Sequence, residues 1–286
     1  MGPSAAILPD GQRLHLQHGP IDLVIGADGA RGPAFAAAKD RFHGLLQTLV
    51  DELPDLRAPL TSDSRLPAGP VARRMHAAAM PVYDLGYLTR MAAVAGAVAD
   101  EILAAMVDAA PLRRAYVNNG GDIALHLAEG ERYASAVAGH RGQMLGQISV
   151  SWDDPVRGIA TSGRHGRSLS MGIADSVTVL ARNAAGADVA ATLVANAVDL
   201  PGHPAITRGP ADTVAPDSDL GNLPVVTDCA ALTPGDRDAA LRSGLGRAEQ
   251  LVRRGSIAAA ALFLQGQAVM TEGPCIALKQ KEFDHA

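Results

Sequence analysis

Four stretches rich in strand-forming residues, at about 113–118, 122–128, 132–138 and 145–151, follow one another with only short turns between them. The turns at Gly120-Gly121, Glu129-Gly130 and Gly139–Gly142 leave no room for a helix. Parallel neighbours need a crossover of roughly a dozen residues or more, so this run predicts an antiparallel meander and excludes alternating βαβ units.

The flanking sequence supplies helices. Phe35, Ala38, Phe42, Leu45, Leu46, Leu49 and Leu53 keep helical spacing and predict one amphipathic helix between Gly32-Pro33 and Pro54. Leu88, Met91, Val94, Ala95, Val98, Ile102 and Met106 predict a second, with Asp84 as its cap. Within it Gly96, at a cost of about 1 kcal/mol against alanine, marks a close approach by another backbone or by a ligand. A hairpin is expected over 12–26, a strand over 175–181, a helix opening on Asp188, a helix over about 235–254 and a hairpin over 257–270. Residues 201–224, carrying Pro201, Pro204, Pro210, Pro216 and Pro224, read as an irregular surface stretch, and 279–286 as a loose tail. The expected fold is α+β, antiparallel β-sheets packed with helices, in a single domain spanning 1–286.

Composition narrows the function. Aromatics make up 3% of the chain and the net charge is −5 with no dense Lys/Arg run, which argues against nucleic acid and anionic membrane as partners. The start has neither a basic segment nor a sufficient apolar one for a secretory signal. Asp100, Glu101 and Asp108 interrupt the Ala-rich run at 91–110, which reads as a buried soluble helix. Cys229 and Cys275, far apart and outside any CxxC, fit a reduced cytoplasm without a zinc site.

Three short segments hold the candidate chemistry. Asn119, Gly120, Gly121 and Asp122 form either a phosphate-accepting turn or a hairpin needing positive φ. Thr161, Ser162 and Gly163, trailed by Arg164, His165 and Arg167, offer hydroxyls, open backbone and cations as a second wall of the same cleft. A stride of four puts Asp188, Thr192 and Asn196 on one helix face. Asp175 either positions a cation or hydroxyl or caps a turn. His165 is the one nearby side chain with an ordinary pKa close to neutrality. No catalytic residue is assigned, since no Walker loop, nucleophile elbow or zinc signature is present.

Read in order, Val117-Asn-Asn-Gly-Gly-Asp-Ile123, Ile159-Ala-Thr-Ser-Gly163, Asp175-Ser-Val-Thr-Val-Leu-Ala181 and Ala187-Asp-Val-Ala-Ala-Thr192 resemble the ordered motifs of the ApbE superfamily, the FAD:protein FMN transferases. Ala95-Gly-Ala-Val-Ala-Asp100 is similar to that family's Lys-Gly-x-Ala-x-Asp helix, with Ala95 where the family has lysine. The likeness implies an ApbE-like fold, magnesium held by Asp188 and Thr192, and FAD or a related nucleotide as the phosphate-bearing ligand. The family's His-x-x-Asp-Pro-x-Thr-Gly segment does not occur between Gly163 and Ser176, and its lipobox is missing. The chain therefore looks like a short, cytoplasmic, uncharacterised branch. Two functions follow as expectations: a magnesium-dependent nucleotidyl or flavin transferase, or a non-catalytic cofactor-binding or accessory protein. A homodimer is the expected assembly.

Overall fold

The computed structural model describes residues 2–139 and 142–278. In chain order the strands are β1 (Ser4–Ile7), β2 (Arg13–His18), β3 (Ile21–Gly29), β4 (Leu112–Asn119), β5 (Asp122–Leu127), β6 (Arg132–Ala138), β7 (Met144–Ser151), β8 (Gly158–Ser162), β9 (Ser176–Ala181), β10 (Ile206–Pro210), β11 (Pro224–Cys229), β12 (Ala259–Leu264), β13 (Gln267–Met270) and β14 (Ile276–Leu278). The α-helices are α1 (Arg31–Phe42), α2 (Leu45–Asp51), α3 (Leu53–Arg57), α4 (Pro70–Ala79), α5 (Val94–Ala109), α6 (Ala184–Ala197), α7 (Ala211–Val214) and α8 (Pro234–Arg253).

Nine strands form one sheet in the order β1-β2-β3-β4-β5-β8-β9-β12-β13, and every pairing is antiparallel. This is the α+β architecture expected from the sequence. The meander is corrected in one respect: its four strands do not share a sheet. β4 and β5 stay in the large sheet, whereas β6 and β7 leave it and join β14 in a three-stranded sheet. Alternation of side chains along each strand gives the large sheet two apolar faces. Val117, Ala124, Val177, Val179 and Leu262 pack with α5 and α6 in the main core, while Ile123, Leu125, Ile159, Leu180 and Phe263 pack beneath β6 and β7.

Helix boundaries also differ from expectation. The predicted single helix over 35–53 divides at Gly44, whose φ of 77° cannot continue a right-handed helix, giving α1 and α2, with α3 beyond. Thr89, not Asp84, supplies a side-chain cap before α5: it accepts from Met91 N at the start of a short 3-10 turn, and Asp84 pairs with Arg254 instead. Residues 201–224 are less irregular than their prolines imply, because β10 lies within them and pairs with β11. The expected tail at 279–286 falls outside the described residues. No helix among the described residues is long and apolar enough to cross a membrane.

Candidate functional site

The site grows from the crossing of α5 and α6. A side chain at Gly96 would place its Cβ 2.3 Å from the Ala184 carbonyl oxygen, so glycine there lets the two backbones touch. The sequence left backbone and ligand open as the reason for Gly96; the structure supplies backbone. At this crossing each helix meets the other's N-terminus. Asp188 of α6 accepts the Gly96 amide at 3.0 Å, and Asp100 of α5 accepts the Ala184 and Ala185 amides at 3.0 and 2.9 Å. Carboxylates suit these positions because the first turns of a helix carry unsatisfied N–H groups and partial positive charge.

Asp188 therefore does not open its own helix. α6 begins at Ala184 and is capped by Asn183, which accepts from Gly186 N at 2.7 Å. Asp188 lies in the second turn and works for α5. Thr192, one turn further on, is partly buried, and its hydroxyl has no hydrogen-bond partner among the described residues. Asn196 leaves the polar stripe to accept from Met171 N at 3.0 Å, and Asp199 pairs with Arg208.

The glycine turn joins this crossing through β4 and β5. Gly120 and Gly121 have φ of 65° and 115°, the positive values demanded by a two-residue hairpin of the tight, right-twisting kind. The hairpin requirement thus accounts for both glycines. Asn118 Oδ1 accepts the Gly121 amide at 2.9 Å, and Asn119, itself buried, donates to the Ala95 carbonyl at 3.0 Å. Asp122 is 8% exposed and accepts the Thr161 amide at 3.3 Å. The Gly-Gly-Asp and Thr-Ser-Gly segments are thereby held side by side, as β5 and β8 pair.

Within Thr161-Ser162-Gly163 the roles divide. The Thr161 hydroxyl turns toward Thr178 at 3.2 Å, on the sheet face shared with Ile159, so its amide rather than its hydroxyl serves Asp122. Ser162 is partly buried at the strand end, and the missing side chain of Gly163 admits the Asp175 backbone. Asp175 is committed to Arg164 at 2.9 Å, to His165 at 3.2 Å and to the Gln265 amide at 2.5 Å. It is an anchor for this loop and not part of the carboxylate pair. Arg167 folds back across the glycine turn: its Nη1 lies 3.4 Å from where a Gly120 Cβ would stand, and Nη2 donates to the Pro20 carbonyl at 2.7 Å.

Electrostatics make Asp122 and Asp188 the unusual pair. Burial pushes the Asp122 carboxyl up to about 7 despite the Thr161 amide, and burial together with repulsion from Asp122 raises Asp188 well above the carboxylate range. Two buried carboxyls that repel each other either retain protons or take up a cation. Among the described residues no three His, Cys, Asp or Glu side chains gather as a metal cluster, so any cation would draw on few protein ligands. Asp100 is also raised by burial, though its two amide bonds hold it down in part. Its capping role and the fold-back of Arg167 were not legible in the sequence, since the first spans 84 residues and the second links the 163–170 loop to Gly120 and Pro20.

Several known proteins are similar to this chain. A UPF0280 protein of Methanothrix thermoacetophila is 38% identical over 133 residues, 46% of this chain and 53% of that one. A UPF0280 protein of Archaeoglobus fulgidus is 38% identical over 112 residues, covering 38% and 43%; the chain thus spans about half the length of these two relatives. A third UPF0280 protein, from Methanopyrus kandleri, is 32% identical over 177 residues, 61% of this chain and 69% of its own. Among solved structures, the apo flavinyl transferase ApbE of Pseudomonas stutzeri superposes with a TM-score of 0.49 at 13% identity, covering 95% of this chain and 94% of that one. The flavin transferase ApbE of Vibrio cholerae gives 0.46 at 11% identity, covering 97% and 98%. The family model described as AbpE bacteria matches residues 5–270, nearly the whole described chain. By that match the chain belongs to the AbpE bacteria family.

Proposed function

We propose that the Gly120-Gly121 turn, the Thr161–Gly163 bend and α6 together form a site for a phosphate-bearing cofactor or nucleotide, a flavin nucleotide such as FAD, with magnesium on Asp188 and Thr192. The observation that carries this reading is the buried pair Asp122 and Asp188, which repel each other beside a threonine hydroxyl without a protein partner among the described residues. That donor set fits the cation: magnesium takes a few hard oxygens, keeps several waters and lets phosphate oxygens complete its shell. The motif resemblance to flavin-transferring enzymes supports the choice of flavin.

When bound, such a cation supplies positive charge that orients a phosphate and neutralises charge developing on it. The chain's own groups prepare the place. Gly96 N–H fixes one oxygen of Asp188, and Thr161 N–H fixes one oxygen of Asp122. Arg167 sets a guanidinium over the glycine turn, where it attracts and aligns an anionic group. As pH rises past about 7, Asp122 gives up its proton and the pair becomes the stronger cation ligand.

Transfer of a flavin nucleotidyl group is the first reading. A non-catalytic binding protein is the second, favoured by one observation: the loop's histidine, His165, is directed at Asp175, which also holds Arg164 and the Gln265 amide. Incubation with FAD and magnesium separates them. Release of AMP supports transfer, and stoichiometric retention of intact FAD supports binding. Absence of any thermal shift with FAD, FMN or ATP, with or without magnesium, overturns both.

A further inference from the structure

On the opposite face of the large sheet, lined by residues of β2, β3 and β4 together with Tyr133 and Ala134 of β6, lies a cleft of about 490 Å³. That volume falls within the roughly 300–1,000 Å³ of small-molecule sites. It is separate from the carboxylate pair: Arg114 and Tyr116 point outward from β4, whereas Asn119 and the turn leading to Asp122 lie on the helix side, about 10 Å beyond Tyr116 and about 17 Å beyond Arg114 along the strand at ~3.3 Å per residue.

Three guanidiniums line it, from Arg13, Arg31 and Arg114, against two carboxylates, from Asp10 and Asp28. Arg114 holds Asp28 through two bonds at 2.6 and 3.0 Å, and Arg13 holds Asp10 at 2.5 Å. Arg31 is the most loosely paired of the three cations. Its Nε donates to the Ala27 carbonyl at 2.9 Å, but its terminal nitrogen stands 3.7 Å from Asp28, beyond hydrogen-bond reach. The planar end of Arg31 therefore keeps donors to offer, in the fork geometry that suits carboxylate and phosphate.

Aromatic walls complete the cleft. Only four tyrosines occur in the chain, and two of them, Tyr116 and Tyr133, meet here with ring centroids 5.9 Å apart at an angle of 54°. Gly26 makes room for the arrangement: a Cβ there would stand 2.4 Å from Cε1 of Tyr116, so the ring rests directly on the strand. Two rings at the junction of two sheets offer flat apolar surface beside a net positive charge. We propose that this cleft is a second binding site, which takes an aromatic ring carrying a compact anionic group, phosphate or carboxylate, with Arg31 and Arg13 on the anion and Tyr116 and Tyr133 on the ring.

The test is titration of the full-length protein with phenyl phosphate, benzoate and inorganic phosphate, followed by ligand-observed NMR or calorimetry. Saturable binding of phenyl phosphate or benzoate is expected, with the better of the two identifying the anion and inorganic phosphate binding about tenfold more weakly for want of a ring. Arg31→Gln or Arg13→Gln should weaken the ring-bearing probe about five- to tenfold. Arg167→Gln, at the other site, should leave it unchanged. Both cleft variants replace partly exposed side chains, and retained thermal unfolding would confirm their folding. No saturable binding at roughly millimolar probe, binding indifferent to both cleft variants, or binding lost with Arg167→Gln would each overturn the proposal.

Discussion

Strand β4 serves two regions of opposite chemistry. On its helix side, Asn119 and the hairpin to Asp122 feed a buried pair of carboxyls; on its outer side, Arg114 and Tyr116 line an open, guanidinium-rich cleft. The partners also differ in burial. Asp188 is buried where it accepts from Gly96, whereas Arg13 with Asp10, Arg31 near Asp28 and Arg114 with Asp28 are partly exposed. A buried charge is strongly coupled to folding, while an exposed one is screened by water and changes little with its removal. The same strand thus carries one site that the fold depends on and one that it does not.

The largest expected effect breaks the first region alone. Gly96→Val would drive a side chain into the Ala184 carbonyl and separate both helix starts from their carboxylates. A loss of about 4 kcal/mol, or a fall in Tm of roughly 10 °C, is expected, measured by urea or thermal unfolding. Arg13→Gln on the other side should leave unfolding nearly unchanged.

Next comes the protonation of the pair. Because Asp122 is raised in the folded chain to about 7, its contribution is fully present below the unfolded carboxylate range, near 3.8, and is lost as pH rises toward 7. In the absence of divalent cation, stability should therefore decline over that window, on the order of 1.4 kcal/mol per pH unit. Asp122→Asn should flatten the decline and raise stability at pH 8, as read from urea midpoints across pH. An unchanged slope would mean that burial of Asp122 is not its source.

How much of this was legible beforehand depends on distance along the chain. The alternating stretches from 113 to 151 predicted strands at nearly the observed bounds, because period-two patterning is local. That β5 would leave β6 for β8 was not legible, since both choices bury the same apolar residues on a sheet face. Asp188 and Thr192 were picked out by motif and stride, yet the helix start was misplaced by four residues, because Asn183 is an equally good cap and the alanines between carry no boundary signal. Asp122 and Thr161 are brought together by a hydrogen bond, but strand alternation, readable only once β8 is located, sends the Thr161 hydroxyl to the other face.

Smaller effects sharpen the contrast. Arg167→Gln should weaken a phosphate-bearing ligand at the carboxylate site about tenfold, seen in FAD titrations with magnesium, and leave unfolding untouched because Arg167 is exposed. Least of all, Arg114→Lys exchanges the two-bond hold on Asp28 for a point charge at a side chain 44% exposed. A change below about 1 kcal/mol in unfolding is expected, shrinking further at high salt.

The mutual docking of α5 and α6 has a consequence for how the protein comes into being. Gly96 receives its acceptor from residue 188, and Ala184 and Ala185 receive theirs from residue 100, so neither helical start is complete until the other segment has been made and has arrived. Contacts of such long range close late and slowly. A nascent chain halted before residue 184 therefore lacks the acceptor for Gly96 and the amides that Asp100 holds, and the carboxylate site proposed above is assembled only when both ends lock together.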